Sequence, residues 1–183
     1  MALQPIPSIV PHCTCCRRLH MNQECLRTEF QKLMRKHRIG SLATLTEQGQ
    51  PLLAVTPFAI NTTDGTLVIH VSELGAHTRN LLQRPQAAFM VCAREPVAGP
   101  VHSLPRASFQ VHATVLARGS APWNQARACY LTRFPDVEFM MDFTDFHLFR
   151  LEIVRVRQIA GFGIARTLPA RTAVAWLKES DLS

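Results

Sequence analysis

From Asn22 to His37 the apolar residues Leu26, Phe30, Leu33 and Met34 recur three and four positions apart, which predicts an amphipathic helix with a basic polar side. After Gly40 the period shortens. The runs 39–46, 51–60 and 66–72 are rich in apolar and β-branched residues, and EQGQ and NTTDG between them supply turn residues. These runs are expected to form three strands of one antiparallel meander. A short helix is predicted over 76–83, ended by Pro85, followed by strands over 87–93 and 107–117. The intervening REPVAGPVHSLP is too rich in proline for a strand interior and reads as a rim or lid. A second helix fits 122–134, with Trp123, Ala126, Cys129, Tyr130 and Phe134 along one side, for packing over a barrel end. Strands over 146–154 and 156–162 follow, and then a tail with no clear pattern. The fold class is mainly β with flanking helices (α+β). Six or seven antiparallel strands suggest a closed barrel, which removes exposed sheet edges.

The 183 residues favour one domain with extensions, and 47% hydrophobic against 18% charged residues is the balance of a globular chain. No apolar run approaches the 18 residues of a membrane span, and MALQPIPSIVPHC lacks the charged start of a secretory signal. A cytoplasmic protein without a membrane partner is expected. The net charge of +7 is lopsided: seven basic and two acidic residues lie in 1–38, against thirteen and eleven in the rest. A nearly neutral body argues against nucleic-acid binding, and the leading basic residues read as a solvated helix face. Cys13, Cys15, Cys16 and Cys25 cluster near the start, but C-x-C-C lacks the paired knuckles of a zinc module, so no metal site is assigned. The expected organisation is a Cys-rich extension over 1–21, a barrel domain over 22–168 and a tail over 169–183.

The densest polar cluster of the body is SELGAHTRNL, residues 72–81, where a strand ends and a helix begins. Helix N-terminal N–H groups favour an anion, and Thr78, Arg79 and Asn80 add a hydroxyl, a planar cation and an amide. Phosphate is the natural ligand. The competing reading is an ordinary helix start with surface polar residues.

The stretch RIGSLATLTEQGQPLLAVTPFAINTTDGTLVIHVSELGAHTRNLLQRPQAAFMV, together with DFTDFHLFRLEIVRVRQIAGFGIA, resembles the pyridoxamine 5'-phosphate oxidase-like FMN-binding split barrels, and within them the haem-utilisation subgroup. The likeness covers roughly 22–168. It implies an antiparallel split β-barrel that dimerises, with FMN in clefts shared between subunits and an oxidoreductase acting on a small-molecule substrate or electron acceptor. On the resemblance, the phosphate is assigned to Ser72, Thr78, Arg79 and Asn80. Ala54, Val55 and Thr56 lie on the strand beside the flavin ring, His77 lines the cleft, and Arg106 supplies a contact from the partner subunit. No catalytic acid or base is assigned.

Three departures narrow that expectation. True pyridoxamine phosphate oxidases carry basic residues where this chain has Asn80 and AVTPF, and a C-terminal W…RLxP motif where it has only ARTLP. Pyridoxamine phosphate oxidation is therefore not expected. Haem binding or degradation is the alternative, with haem in place of FMN, and a non-catalytic flavin carrier is another. Haem-degrading relatives use a C-terminal histidine, yet none follows His147, which leaves His70, His77, His102 and His112 as candidate ligands. Strand packing is the simpler role for His70 and His112. Asp142, Asp145 and His147 sit among Phe143, Phe146 and Phe149 and read as the packed start of a strand. The GFG at 161–163 reads as a barrel corner.

Overall fold

The computed structural model describes residues 22–97 and 100–179; the Cys-rich segment 1–21, with its expected extension, lies outside the described residues. The first helix, α1 (Gln23–Lys36), starts where Asn22 caps it by accepting the Cys25 N–H at 2.9 Å. Eight strands follow: β1 (Ile39–Leu45), β2 (Pro51–Pro57), β3 (Ala59–Asn61), β4 (Thr66–Ser72), β5 (Gln86–Cys92), β6 (Arg106–Val115), β7 (Phe146–Gly161) and β8 (Ile164–Pro169). Helix α2 (Ala76–Gln83) lies between β4 and β5, α3 (Ala121–Arg133) between β6 and β7, and α4 (Ala170–Lys178) follows β8.

All strand pairs are antiparallel, in the order β2-β1-β5-β6-β7-β4-β3, with β8 added to β7. The sheet curls into a half-barrel, as the fold-class expectation required, and β2 comes up against β4 without pairing to it. It does not close. The single meander also fails, because β1 pairs with β2 and β5 whereas β4 pairs with β3 and β7. The physical reason sits at Pro57–Phe58. Phe58 is fully buried and its N–H donates to the Arg38 carbonyl at 3.0 Å, so the chain turns inward and β3 begins at the far end of the sheet. The two strands expected over 146–162 are one strand with a bulge beside Gln110/Val111 of β6. Within the stretch read as a tail without a pattern, the described residues continue as the end of β8 and as α4. Residues 164–169 pair with β7, and α4 buries Ala173, Trp176 and Leu177.

The inner face forms one core. A single row across the sheet, Ala54, Leu42, Phe89, Phe109, Val156 and Leu168, runs through it, and the last five are buried. Helix α1 closes one end of the half-barrel with Leu26, Phe30, Leu33 and Met34, and Phe30 packs 6.0 Å from Phe109 and 5.6 Å from Trp176. Gln31 donates to the Trp176 carbonyl at 2.8 Å and Gln158 to the Leu26 carbonyl at 2.8 Å, tying α1 to α4 and β7. Gly65 turns the β3–β4 hairpin with φ +73°, and a Cβ there would meet Val174 of α4 at 2.7 Å. Glycine is what lets α4 sit on that turn.

A second core lies on the other side of β4. There α3 lays Ala126, Tyr130 and Phe134 over Ala59, Val68 and Leu148, which places it on the outer face of β3, β4 and β7 rather than over a barrel end. Arg133, at the end of α3, donates to the carbonyls of Met34, Arg35 and His37 and stacks 4.8 Å from the Phe58 ring. These carbonyls close the C-terminal end of α1, so one side chain joins the two cores. His70 faces this second core between Tyr130 (5.7 Å) and Phe146 (4.9 Å). Burial, with Arg118 and His147 nearby, pulls its pKa down to about 4.

Two stability outcomes follow. Arg133→Ala should cost about 2–4 kcal/mol, because charged hydrogen bonds to three carbonyls are lost; a denaturant titration showing under about 1 kcal/mol would contradict this. For His70, the folded pKa of about 4 lies below the unfolded value of 6.5. As pH falls through that window the unfolded chain takes up a proton the native state refuses, so stability drops, by roughly 3 kcal/mol in full. Melting temperatures from pH 7 to 4 should fall more steeply in the wild type than in His70→Phe, and equal slopes would refute the account.

Candidate functional site

The predicted anion-binding turn is present, but its side chains point in two directions. Thr78 is fully buried and its hydroxyl donates to the Ser72 carbonyl at 2.5 Å. Asn80 is buried too, and its amide donates to the Thr44 hydroxyl at 2.9 Å, pinning α2 to the inner side of β1. The Ser72 hydroxyl donates to the Asp145 carboxylate at 2.7 Å, and the Leu74 N–H donates back to it at 3.1 Å. Only Arg79 reaches outward, with its guanidinium donating to the Glu73 carbonyl at 2.8 Å. His77 is half-buried, its ring packed beneath Gly75, and burial lowers its pKa.

Two carboxylates surround this turn, one of them Asp145, which the sequence placed only at the packed start of a strand. Asp145 takes up Ser72, and the Glu73 carboxylate lies 2.6 Å from Nε2 of His147. Negative charge here opposes a phosphate. The four residues assigned to the FMN phosphate therefore do not form an open cradle in this geometry, because three have their donors committed within the protein. Glu73 lies within the polar cluster itself, but Asp145 is far away in the sequence, and only the β4–β7 register brings Ser72 opposite Phe146 and so close to Asp145.

The strand assigned to the flavin ring has more room. β2 ends the sheet, so its outer backbone edge pairs with no strand among the described residues. Thr56 points inward and its buried hydroxyl has no hydrogen-bond partner, which is a costly arrangement for a polar atom. Ala54 is half-buried, and Val55 points outward at 65% exposure. Helix α2 packs against β1 and β2, which brings Arg79 to the same end of the sheet.

Arg106 opens β6, half-buried, and donates to the Leu104 carbonyl at 3.0 Å. It belongs to a feature the sequence reading missed. Strand register aligns Val55, Ser41, Met90, Ser108 and Arg157 in one outward row, and Leu53, Ala43, Ala88, Gln110 and Arg155 in the next. The β2–β1–β5 half of this outer face is small or apolar, with Leu53 69% exposed and Ile39 56% exposed at its edge. The β6–β7 half carries Arg106, Arg155 and Arg157, none of which forms an ion pair among the described residues. The alternation V-R-V-R over 154–157 was the available signal.

The histidines separate by position. His70 is enclosed by aromatic rings, His102 is exposed in a 3-10 turn, and His112 is exposed on the outer side of β6, opposite Gln86 and Glu152. Among the described residues no three His, Cys, Asp or Glu side chains gather as metal ligands. No helix there is long and apolar enough to cross a membrane. Cys129 donates to the Ile60 carbonyl at 3.0 Å, and burial pushes its thiol up to about 11, so it is a poor nucleophile.

Comparison with known proteins places this geometry in context. The family model for pyridoxamine 5'-phosphate oxidase matches residues 26–160. Heme oxygenase HutZ of Vibrio cholerae is 30% identical over 141 residues, covering 76% of this chain and 79% of that protein. The chloroplastic non-canonical heme oxygenase HOZ of Arabidopsis thaliana is 27% identical over 139 residues, or 75% of this chain and 41% of that protein. Among solved structures, Campylobacter jejuni ChuZ superposes with a TM-score of 0.73 at 25% identity, covering 82% of this chain and 61% of that one. A heme binding protein from Mycobacterium smegmatis shares the fold, with a TM-score of 0.73 at 24% identity over 82% of this chain and 60% of that one. The chain thus spans about three-fifths of these two structures and less than half of the plant protein. With the family model matching most of its length and the half-barrel in place, the chain belongs to the pyridoxamine 5'-phosphate oxidase family.

Proposed function

We propose that this chain binds haem on the outer face of its sheet, in a cleft completed by a second copy of itself, and serves haem iron utilisation. The observation that carries this reading is the division of that face. A small-residue half on β1 and β5 leaves room for a planar ring, and Arg106, Arg155 and Arg157 lie at the far side for its carboxylates. Five strands span this distance, roughly 19 Å from β2 to β7 at the usual strand spacing. The relatives called heme oxygenases support the same direction. His112 is the exposed histidine on this face and the candidate iron ligand. The exposed Leu53, Val55 and Ile39 form an apolar edge of the kind that a second copy buries, which supports a homodimer.

A second reading is an FMN-dependent oxidoreductase acting on a small substrate. The open edge of β2 and the unpartnered Thr56 hydroxyl favour it. There Ala54, Val55 and Thr56 would lie along the flavin ring and Arg79 would hold the phosphate. FMN would supply the electron transfer, and the chain's part is to orient the ring and limit access to it. The committed donors of Ser72, Thr78 and Asn80 weigh against tight phosphate binding.

Absorbance titrations with haem and with FMN separate the two. The haem reading expects a Soret band at one haem per chain or per dimer cleft, and at least about tenfold weaker binding in Arg155→Ala/Arg157→Ala, the effect of losing a charge-assisted contact worth about 1.5–3 kcal/mol. His112→Ala should shift that band, and Arg79→Ala should leave haem affinity unchanged. A protein that ignores haem, and binds FMN in a manner weakened by Arg79→Ala, would establish the second reading instead.

A further inference from the structure

A cavity of about 520 Å³ opens between α1 and the segments flanking the β5–β6 connection, and it shares no residue with the outer sheet face or with the α2 turn. That volume is in the range of small-molecule sites. Its charged lining is Lys32 and Lys36 from α1, Arg94 just after β5, and Glu29. Leu33, Ala93 and Pro105 supply apolar wall, and the Ala93 N–H donates to the Pro105 carbonyl at 2.9 Å, holding the two sides of the connection together.

The cations are not used by the fold. Lys32, Lys36 and Arg94 form no ion pair among the described residues, and neither does Glu29. Lys32 and Lys36 stand four residues apart on one helix face, where like charges repel and slightly destabilise the helix. The end of α1 would normally present carbonyl oxygens that repel an anion, but Arg133 takes up those of Met34, Arg35 and His37. What remains at the cavity is a surplus of positive charge over a partly apolar wall.

We infer that this cavity is a second ligand site, separate from the proposed cofactor cleft, and that it takes a small organic anion bearing a phosphate or paired carboxylates on a short apolar body. Lys32, Lys36 and Arg94 hold the anionic end, and Leu33 and Pro105 contact the body. His37 reports on occupancy from the cavity wall. Its pKa is lowered by burial and then by Lys36, Arg94 and Arg133, and an anion set among those cations reverses part of that shift.

Calorimetric and NMR titrations of the full chain with phenyl phosphate, inorganic phosphate and benzyl alcohol test the inference. Phenyl phosphate should bind saturably at one site per chain, more tightly than inorganic phosphate, and should raise the His37 imidazole pKa. Benzyl alcohol should not bind. Lys36→Gln/Arg94→Gln, both exposed positions, should weaken phenyl phosphate at least tenfold with an unchanged melting temperature, whereas Arg155→Ala/Arg157→Ala should leave it unaltered. Absence of saturable binding, equal affinity for inorganic phosphate, or full affinity in the Lys36/Arg94 double variant would overturn the inference. Because Arg155 and Arg157 carry the haem reading and not this one, the two stand or fall on different variants.

Discussion

Burial of β4 on both faces is the constraint from which the rest of the architecture follows. Thr66 to Val71 are buried without a break, so Leu67, Ile69 and Val71 need one apolar partner and Val68 and His70 another. The curled sheet with α1 and α4 meets the first need. Helix α3 meets the second, and Arg133 at its end closes α1. A strand buried on both sides also explains why His70 stays neutral, since charging it would place a cation between Tyr130 and Phe146 with no partner to offset the loss of water.

The same constraint decides where ligand chemistry is available. With α3 spent on β3, β4 and β7, no helix among the described residues covers the outer side of β2, β1, β5 and β6, where Leu53, Val55 and Ile39 are exposed. On the inner side, the polar groups of α2 do structural work: Asn80 and Thr78 fasten the helix to β1 and to the end of β4. A turn whose residue types suit a phosphate has thus been drawn partly into the fold. The bare sheet face and its arginines are left as the proposed place for a large flat anion.

Element positions were legible because each rested on a local signal: period 3.6 in α1, Gly- and Asn-containing turns, and Pro85 after α2. The family motifs carried the split barrel. Strand order was not legible, because a register between β4 and β7, about 75 residues apart, depends on which faces find partners and not on any local pattern. Side-chain commitments were hidden for the same reason. Thr78, Arg79 and Asn80 are adjacent in the sequence, yet Thr78 is buried against the end of β4, Asn80 against β1, and Arg79 is exposed. The basic leader read as a solvated face, and Lys32 and Lys36 are exposed; what the sequence did not show is that Arg94, just after β5, lines the same cavity.

The most direct test of the central claim is to locate bound ferric haem through the paramagnetic broadening of backbone amide signals in the isotopically labelled protein. The account predicts that broadening concentrates on Gln86, Ala88, Gln110 and His112, on the outer side of β5 and β6, and spares β4 and α3. Broadening centred on Arg79 and the start of α2, with that outer side untouched, would contradict it.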